Sequence, residues 1–185
     1  MISTNDFRTG VSVIVDGQIW TVVDFQHVKP GKGSAFVRAR LKNLIRGNVL
    51  EKTFRAGEML TRAIIDTREM QYLYNSGDEY YFMDQSNFEQ LHLGHEALGD
   101  NTDLLKEGMT IEVQFHDGKV ISASLPNHIE LKVEQTDPGF RGDTATNITK
   151  PATLETGAVV QVPIFINQGD TIRIDTRDRK YISRV

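Results

Sequence analysis

The sequence predicts an all-β protein made of three small barrels, and three observations carry that expectation. Short apolar runs recur along all 185 residues, separated by Asp-Gly, Asn-rich or Gly-rich turn signals at roughly ten-residue intervals. No long apolar stretch repeats with the helical period. With 39% apolar residues, 8% aromatics and 15 glycines, the chain suits several small barrels better than one thick core.

The first barrel, SH3-like, is expected over residues 1–64. Residues 11–15 and 18–25 flank Asp16-Gly17, a pair that favours the type I′ hairpin turn. Arg46-Gly47 turns into a strand over 48–54, and Gly57 leads out through Ala63-Ile64-Ile65. Trp20 and Phe25 are expected in the core, since small barrels fill themselves with such side chains.

Between the hairpin and the next turn, His27-Val28-Lys29-Pro30-Gly31-Lys32-Gly33-Ser34 reads as a loop tip feeding a strand. Pro30 fixes its own φ and pushes Lys29 toward an extended conformation, while Gly31 and Gly33 add backbone freedom on either side of Lys32. That arrangement projects the ammonium from the tip and lets the backbone approach a partner closely. In the following strand the two-residue period puts Phe36, Arg38, Arg40 and Lys42 on one face, and Val37, Ala39 and Leu41 on the other. Taken alone, Pro-Gly and Gly-x-Gly are also ordinary hairpin punctuation. The loop is no Walker motif, because Gly-Lys is followed by Gly33 and lacks the upstream glycine.

The second barrel, of the OB type, is expected over 65–127, and the third, also OB, over 128–185. Residues 70–74 and 79–84 form a hairpin around Asn75-Ser76-Gly77-Asp78, and a further strand is expected over 88–93. Asn101-Thr102-Asp103 resembles a helix cap before Leu104-Leu105-Lys106. Gly108 then releases a strand over 109–116, Asp117-Gly118 turns it into 119–125, and Pro126-Asn127 marks a boundary. In the last third, strands are expected over 129–136, 158–162, 171–175 and 181–184, with a glycine-rich loop over 137–144. Tyr72, Tyr74, Tyr80 and Phe82 are expected to be structural, since stacking platforms for bases sit inside positive grooves and this segment is acidic.

Charge is unevenly distributed. Residues 1–63 carry ten Lys/Arg against five Asp/Glu, net +5; residues 64–128 carry three against twelve, net −9; residues 129–185 carry eight of each. A polyanion that touches the first third and avoids the middle fits this pattern, whereas coating of RNA by the whole surface does not. The absence of cysteine excludes disulfides, thiolate metal sites and thiol catalysis. No run of about 18 apolar residues occurs and Met1 to Asp6 lack the order of a signal peptide, so a cytoplasmic protein without membrane contact is expected.

Catalytic and cofactor sites find no support. His92-x-x-His95-Glu96 is the only metal-like cluster, and Gly94 argues against the helix its spacing needs. Pairs such as Asp78-Glu79, or Glu130 with Glu134, fall on turns and strands where carboxylates are ordinarily solvated. No serine occupies a nucleophile elbow. Neither an enzyme nor a cofactor is expected. A general RNA-binding chaperone with OB folds and a carbohydrate or nucleotide enzyme on OB barrels are the competing readings; the first expects aromatics in positive grooves, the second an acid/base cluster.

The stretch Phe25-Gln26-His27-Val28-Lys29-Pro30-Gly31-Lys32-Gly33, together with Lys150-Pro151-Ala152, Gly157, Val160-Gln161-Val162-Pro163, Ile166 and Gly169, resembles bacterial elongation factor P over the whole chain. The Gly142-Asp143-Thr144 loop and terminal Tyr181-Ile182-Ser183-Arg184 match two further motifs of that family, while Thr146-Asn147-Ile148 replaces its usual small, glycine-rich residues. The resemblance implies an L of three barrels that mimics a tRNA. It also implies a monomer that enters the ribosome between the exit and peptidyl sites when synthesis stalls, above all at consecutive prolines. Lys32 would be lengthened by a modifying enzyme, with β-lysyl and aminopentanol-type extensions both known in the family; Pro30-Gly31-Lys32-Gly33 resembles the Gram-positive branch, which leans toward the aminopentanol type. Lys29, Arg38, Arg40 and Lys42 would then face rRNA and the acceptor arm of the peptidyl-tRNA. Gly142, Asp143, Thr144, Tyr181 and Arg184 would face the exit-site mRNA codon and anticodon stem.

Overall fold

The computed structural model describes residues 1–139 and 148–185. The chain is all-β, with three barrel-like sheets and one short α-helix among the described residues. It divides into two compact units, Met1–Thr67 with Gln114–Ser122, and Arg68–Val113 with Ala123–Val185.

In the first sheet, β1 (Ile2–Ser3), β2 (Ser12–Val15), β3 (Gln18–Val28), β4 (Phe36–Asn43), β5 (Val49–Arg55) and β6 (Met59–Arg62) lie in the order β1-β6-β2-β3-β4-β5. The β2–β3 turn has the predicted type I′ geometry, with φ of 52° at Asp16 and 74° at Gly17. Inward residues of alternating strands meet Phe7 in a core that includes Val13, Trp20, Val22, Val37, Ala39, Leu41 and Phe54. Trp20 is buried there and Phe25 packs half-buried against it, as the sequence predicts. Buried Asn43 shapes the next turn: its Oδ1 accepts from the Ile45 and Arg46 N–H groups at 2.9 Å each, and its Nδ2 donates to Gln18. The exit strand runs over Met59–Arg62, earlier than the expected 63–65, because those residues pair with both β1 and β2.

The second sheet contains β7 (Asp66–Ser76), β8 (Glu79–Asp84), β9 (Gln90–Leu93), β10 (Thr110–His116) and β11 (Lys119–Ser124), in the order β11-β10-β7-β8-β9. The β7–β8 turn falls at Gly77-Asp78, within the predicted span. Two details differ from the sequence reading. Phe88 belongs to a turn rather than a strand, at φ 63° and 70% exposed, because Asp84 Oδ1 binds the Ser86 N–H and hydroxyl and reverses the chain there. The helix α1 spans His95–Leu98 and is followed by a 3₁₀ segment, Gly99–Leu104, so Asn101 to Asp103 end a helical stretch instead of capping one. Leu104 is spent elsewhere: it is fully buried in the core of the third sheet.

That third sheet holds β12 (His128–Thr136), β13 (Thr149–Leu154), β14 (Val159–Pro163), β15 (Thr171–Asp175) and β16 (Lys180–Arg184), in the order β14-β13-β12-β15-β16. Its core joins Leu104 to Leu131, Val133, Leu154, Val162, Ile166, Ile172 and Ile174. Arg179 makes two bonds to the Asp103 carboxylate, at 2.8 and 2.5 Å, and Asn101 donates to the Thr176 carbonyl. Both contacts lie within the second compact unit and tie the 3₁₀ segment to the end of the third sheet. The sequence reading missed β13, where Pro151 argues against a strand. Pro151's carbonyl accepts from Thr136 Oγ1 at 3.0 Å, so its missing N–H faces the β12 side, one residue past the last pair, Thr136 with Ala152. No ladder donor is required there.

Candidate functional site

The predicted tip stands between the two longest-paired strands of the first sheet. β3 and β4 pair from Trp20 with Asn43 out to Val28 with Phe36, with a bulge between Val22 and Asp24 that raises local twist. Residues 29–35 close the end. Gly33 takes φ +106°, a conformation that side-chain-bearing residues rarely adopt, and a Cβ there would meet the Pro30 ring at 3.9 Å. Gly31 takes no positive φ and has open space around it. Of the two glycines assigned backbone freedom, only Gly33 needs it for the turn.

Lys32 is exposed, and among the described residues it makes no ion pair or hydrogen bond. Lys29 shares that state, and Pro30 is half-buried. The tip therefore places an ammonium in solvent on a short loop whose ends are fixed by a continuous ladder.

Along β4 the buried and exposed residues alternate strictly, so Arg38, Arg40 and Lys42 share the outer face while Val37, Ala39 and Leu41 enter the core. The register adds acids to that face. Arg40 stands opposite Asp24 on β3 and Glu51 on β5, and Arg38 Nε pairs with Glu51 Oε1 at 3.5 Å. Both members of that pair are about half exposed, so it contributes at most about 1 kcal/mol. The Arg38 guanidinium also lies 5.9 Å from the Phe36 ring centre. Arg40 and Lys42 remain without ion pairs among the described residues. The sequence shows the basic row; Glu51, 11 positions beyond Arg40, becomes its neighbour only through the register.

On the third sheet, Tyr181 packs against the core and helps line a groove of about 530 Å³ with Thr149, Val159, Gln161 and Lys180. Arg184 is engaged elsewhere, over the Phe165 ring at 5.8 Å and near Asp170 Oδ2 at 3.9 Å. The two residues grouped by the sequence thus serve different neighbours. Gly142, Asp143 and Thr144 lie outside the described residues. Six positions after Thr144 in the sequence, Lys150 is 8% exposed and donates its ammonium to the Asp137 carbonyl. Nothing in the local sequence marks Lys150 as buried.

His92 lies on β9 while His95 opens α1, so the two imidazoles do not share a helix face. Among the described residues no three His, Cys, Asp or Glu side chains gather at a possible metal site. No helix among the described residues is long and apolar enough to cross a membrane.

Residues 3–60 match the family described as Elongation factor P (EF-P) KOW-like domain, residues 65–123 the Elongation factor P (EF-P) OB domain, and residues 129–184 Elongation factor P, C-terminal. A protein of Moorella thermoacetica named Elongation factor P is 61% identical over 184 residues, and one of Thermoanaerobacter sp. with the same name is 56% identical over 185; each alignment covers 100% of both chains. Among solved structures, Eukaryotic translation initiation factor 5A from Methanococcus jannaschii is similar at TM-score 0.51 and 25% identity, over 66% of this chain and 92% of that one.

Proposed function

The chain belongs to the elongation factor P family, a family of translation elongation factors, and from that premise we propose that its first barrel presents Lys32 to a ribosome-bound peptidyl-tRNA. The observation that carries this reading is the tip itself: an exposed, unpaired Lys32 on a loop tied at both ends to the β3–β4 ladder. The protein binds beside the peptidyl-tRNA on ribosomes stalled at consecutive prolines. Proline is a poor substrate because its ring locks φ and its nitrogen is secondary, so a productive alignment of the reacting ends is rarely visited. A lysine lengthened by modification reaches the 3′ end of the tRNA and restrains it. The bond-making chemistry stays with ribosomal RNA, and the protein is not an enzyme.

The free cations Lys29, Arg40 and Lys42, with Arg38 beside them, face rRNA and the acceptor arm through phosphate contacts. Tyr181 and Arg184, with Gly142, Asp143 and Thr144, serve the exit-site codon side. The functional pieces divide near Ile64 and Asn127, a reading the three separate family matches support. The protein acts in the cytoplasm as a monomer, and a dedicated enzyme extends Lys32.

The test is Lys32→Arg, which keeps the positive charge but removes the amine to which a modification attaches. Peptide-bond formation at Pro-Pro-Pro and binding to the stalled complex are measured together, with intact mass reporting the state of Lys32. The expected result is near-normal binding with stalling unrelieved. Full rates with Lys32→Arg overturn the modified-amine mechanism.

A further inference from the structure

The second sheet carries an aromatic row that its core does not use. Register pairs Tyr74 with Tyr81 and Tyr81 with His92, placing three rings side by side across β7, β8 and β9. Tyr74 and Tyr81 are stacked, with centres 4.7 Å apart and planes within 14°, and the Tyr81 and His92 rings are 5.8 Å apart. Tyr74 is 53% exposed and His92 is exposed, whereas Tyr72 and Phe82 on the opposite face are buried. A bulge between Tyr72 and Tyr74 creates the arrangement. Strict alternation would put Tyr74 on the same face as Tyr72; the extra residue re-aims it outward. The ring then gains nothing from burial in the barrel.

The chemistry of the row suits a cation. Aromatic faces carry negative potential, and a carboxylate stands beside them: Tyr81's hydroxyl donates to Glu79 Oε2 at 3.1 Å. Among the described residues no Lys or Arg pairs with Glu79, and the surrounding residues 64–128 carry net −9. That charge repels a phosphate backbone, so stacked bases are the wrong occupant. Between the two basic side chains, the planar guanidinium lies flat on a tyrosine ring while its edge donates to a carboxylate; an ammonium cannot do both as well. We infer that the outer face of β7, β8 and β9 docks an arginine-rich segment of a partner protein, with guanidinium groups stacking on the Tyr74–Tyr81–His92 row and bonding to Glu79.

Fluorescein-labelled nona-arginine, nona-lysine and nine-residue oligouridine are titrated against the full chain and followed by anisotropy at low salt. Tyr74→Ser is expected to weaken nona-arginine about fivefold and Glu79→Gln about threefold, with nona-lysine weaker than nona-arginine and insensitive to Tyr74→Ser. Because Tyr74 lies outside the core, the variant keeps the fold; nuclear magnetic resonance of the unsubstituted chain provides a second readout, with shifts expected at Tyr74, Tyr81 and His92. Unchanged nona-arginine affinity in Tyr74→Ser, or no shifts at the row, overturns the proposal. So does oligouridine binding that depends on Tyr74, which makes the row an RNA platform, or a dimer of this chain abolished by Tyr74→Ser, which makes it a self-association surface.

Discussion

The tip of the first sheet and the third sheet use the same kinds of charged side chain in opposite ways. At the tip, Lys29 and Lys32 stand in solvent without partners among the described residues, and farther down β4 so do Arg40 and Lys42. On the third sheet Lys150 is buried against the Asp137 carbonyl, Arg179 grips Asp103, Arg177 holds Asp175 and Arg173 bonds to Glu130 at 2.7 Å. A tied cation orders the fold around it. A free one is available for something outside it, and its removal leaves the fold intact.

The largest expected effect that can break this contrast is functional. Lys32→Ala should slow relief of a Pro-Pro-Pro stall by roughly a hundredfold, while the melting temperature of the chain stays within a degree or two of the unsubstituted protein. A comparable loss of thermal stability would mean that Lys32 is structural after all. Next in size is the converse variant. Lys150→Ala strips a buried charged donor and leaves a carbonyl without its partner, so denaturant unfolding should show a loss of about 2–3 kcal/mol. Loss of under about half a kilocalorie would place Lys150 with the free lysines.

A smaller effect separates the two arginines of the outer row. Arg38 already shares its charge with Glu51, so Arg40→Gln should weaken ribosome association several-fold more than Arg38→Gln, and each should flatten the salt dependence by roughly one phosphate contact or less. Equal losses would show that the Glu51 pair opens on binding.

The smallest effect concerns acid. Asp175 has its carboxyl held at about 2, against an ordinary 3.8, first by the Arg177 side chain and then by the Arg177 backbone N–H, with His128 helping from 3.7 Å. Because the folded state lowers this value, the stabilisation is complete above about pH 4 and disappears as pH falls through 2. Melting followed between pH 4 and pH 2 should fall more steeply for the unsubstituted chain than for Asp175→Asn. Parallel curves would show that the Arg177 contact makes no difference to the fold.

Much of the molecule was legible in the residues themselves. Asp16-Gly17 and Asp117-Gly118 announced their turns because positive φ at both positions is a local requirement that few residue pairs meet. The basic face of β4 was legible because a strand alternates with period two whatever lies beside it. The Lys32 tip was legible for both reasons, and its seclusion from ionic partners followed from its place at the end of a ladder. Gly31 was over-read: a glycine permits unusual backbone conformations without requiring one, and open space surrounds it.

What the chain determines alone is local: which residues turn, which alternate, and which third carries the positive charge. Tertiary structure decided the rest, since it depends on residues brought together across the chain. Glu51 became Arg38's partner through strand register, and a single bulge turned Tyr74 away from the face it would share with Tyr72 under strict alternation. Leu104 closes the 3₁₀ segment instead of following a helix cap, and its side chain is buried in the core of the third sheet, which is worth about 2 kcal/mol. Lys150 reads like any lysine until folding encloses it beside the Asp137 carbonyl. A sequence records propensities one neighbourhood at a time, whereas register and burial are set by the packing of segments that lie far apart in it.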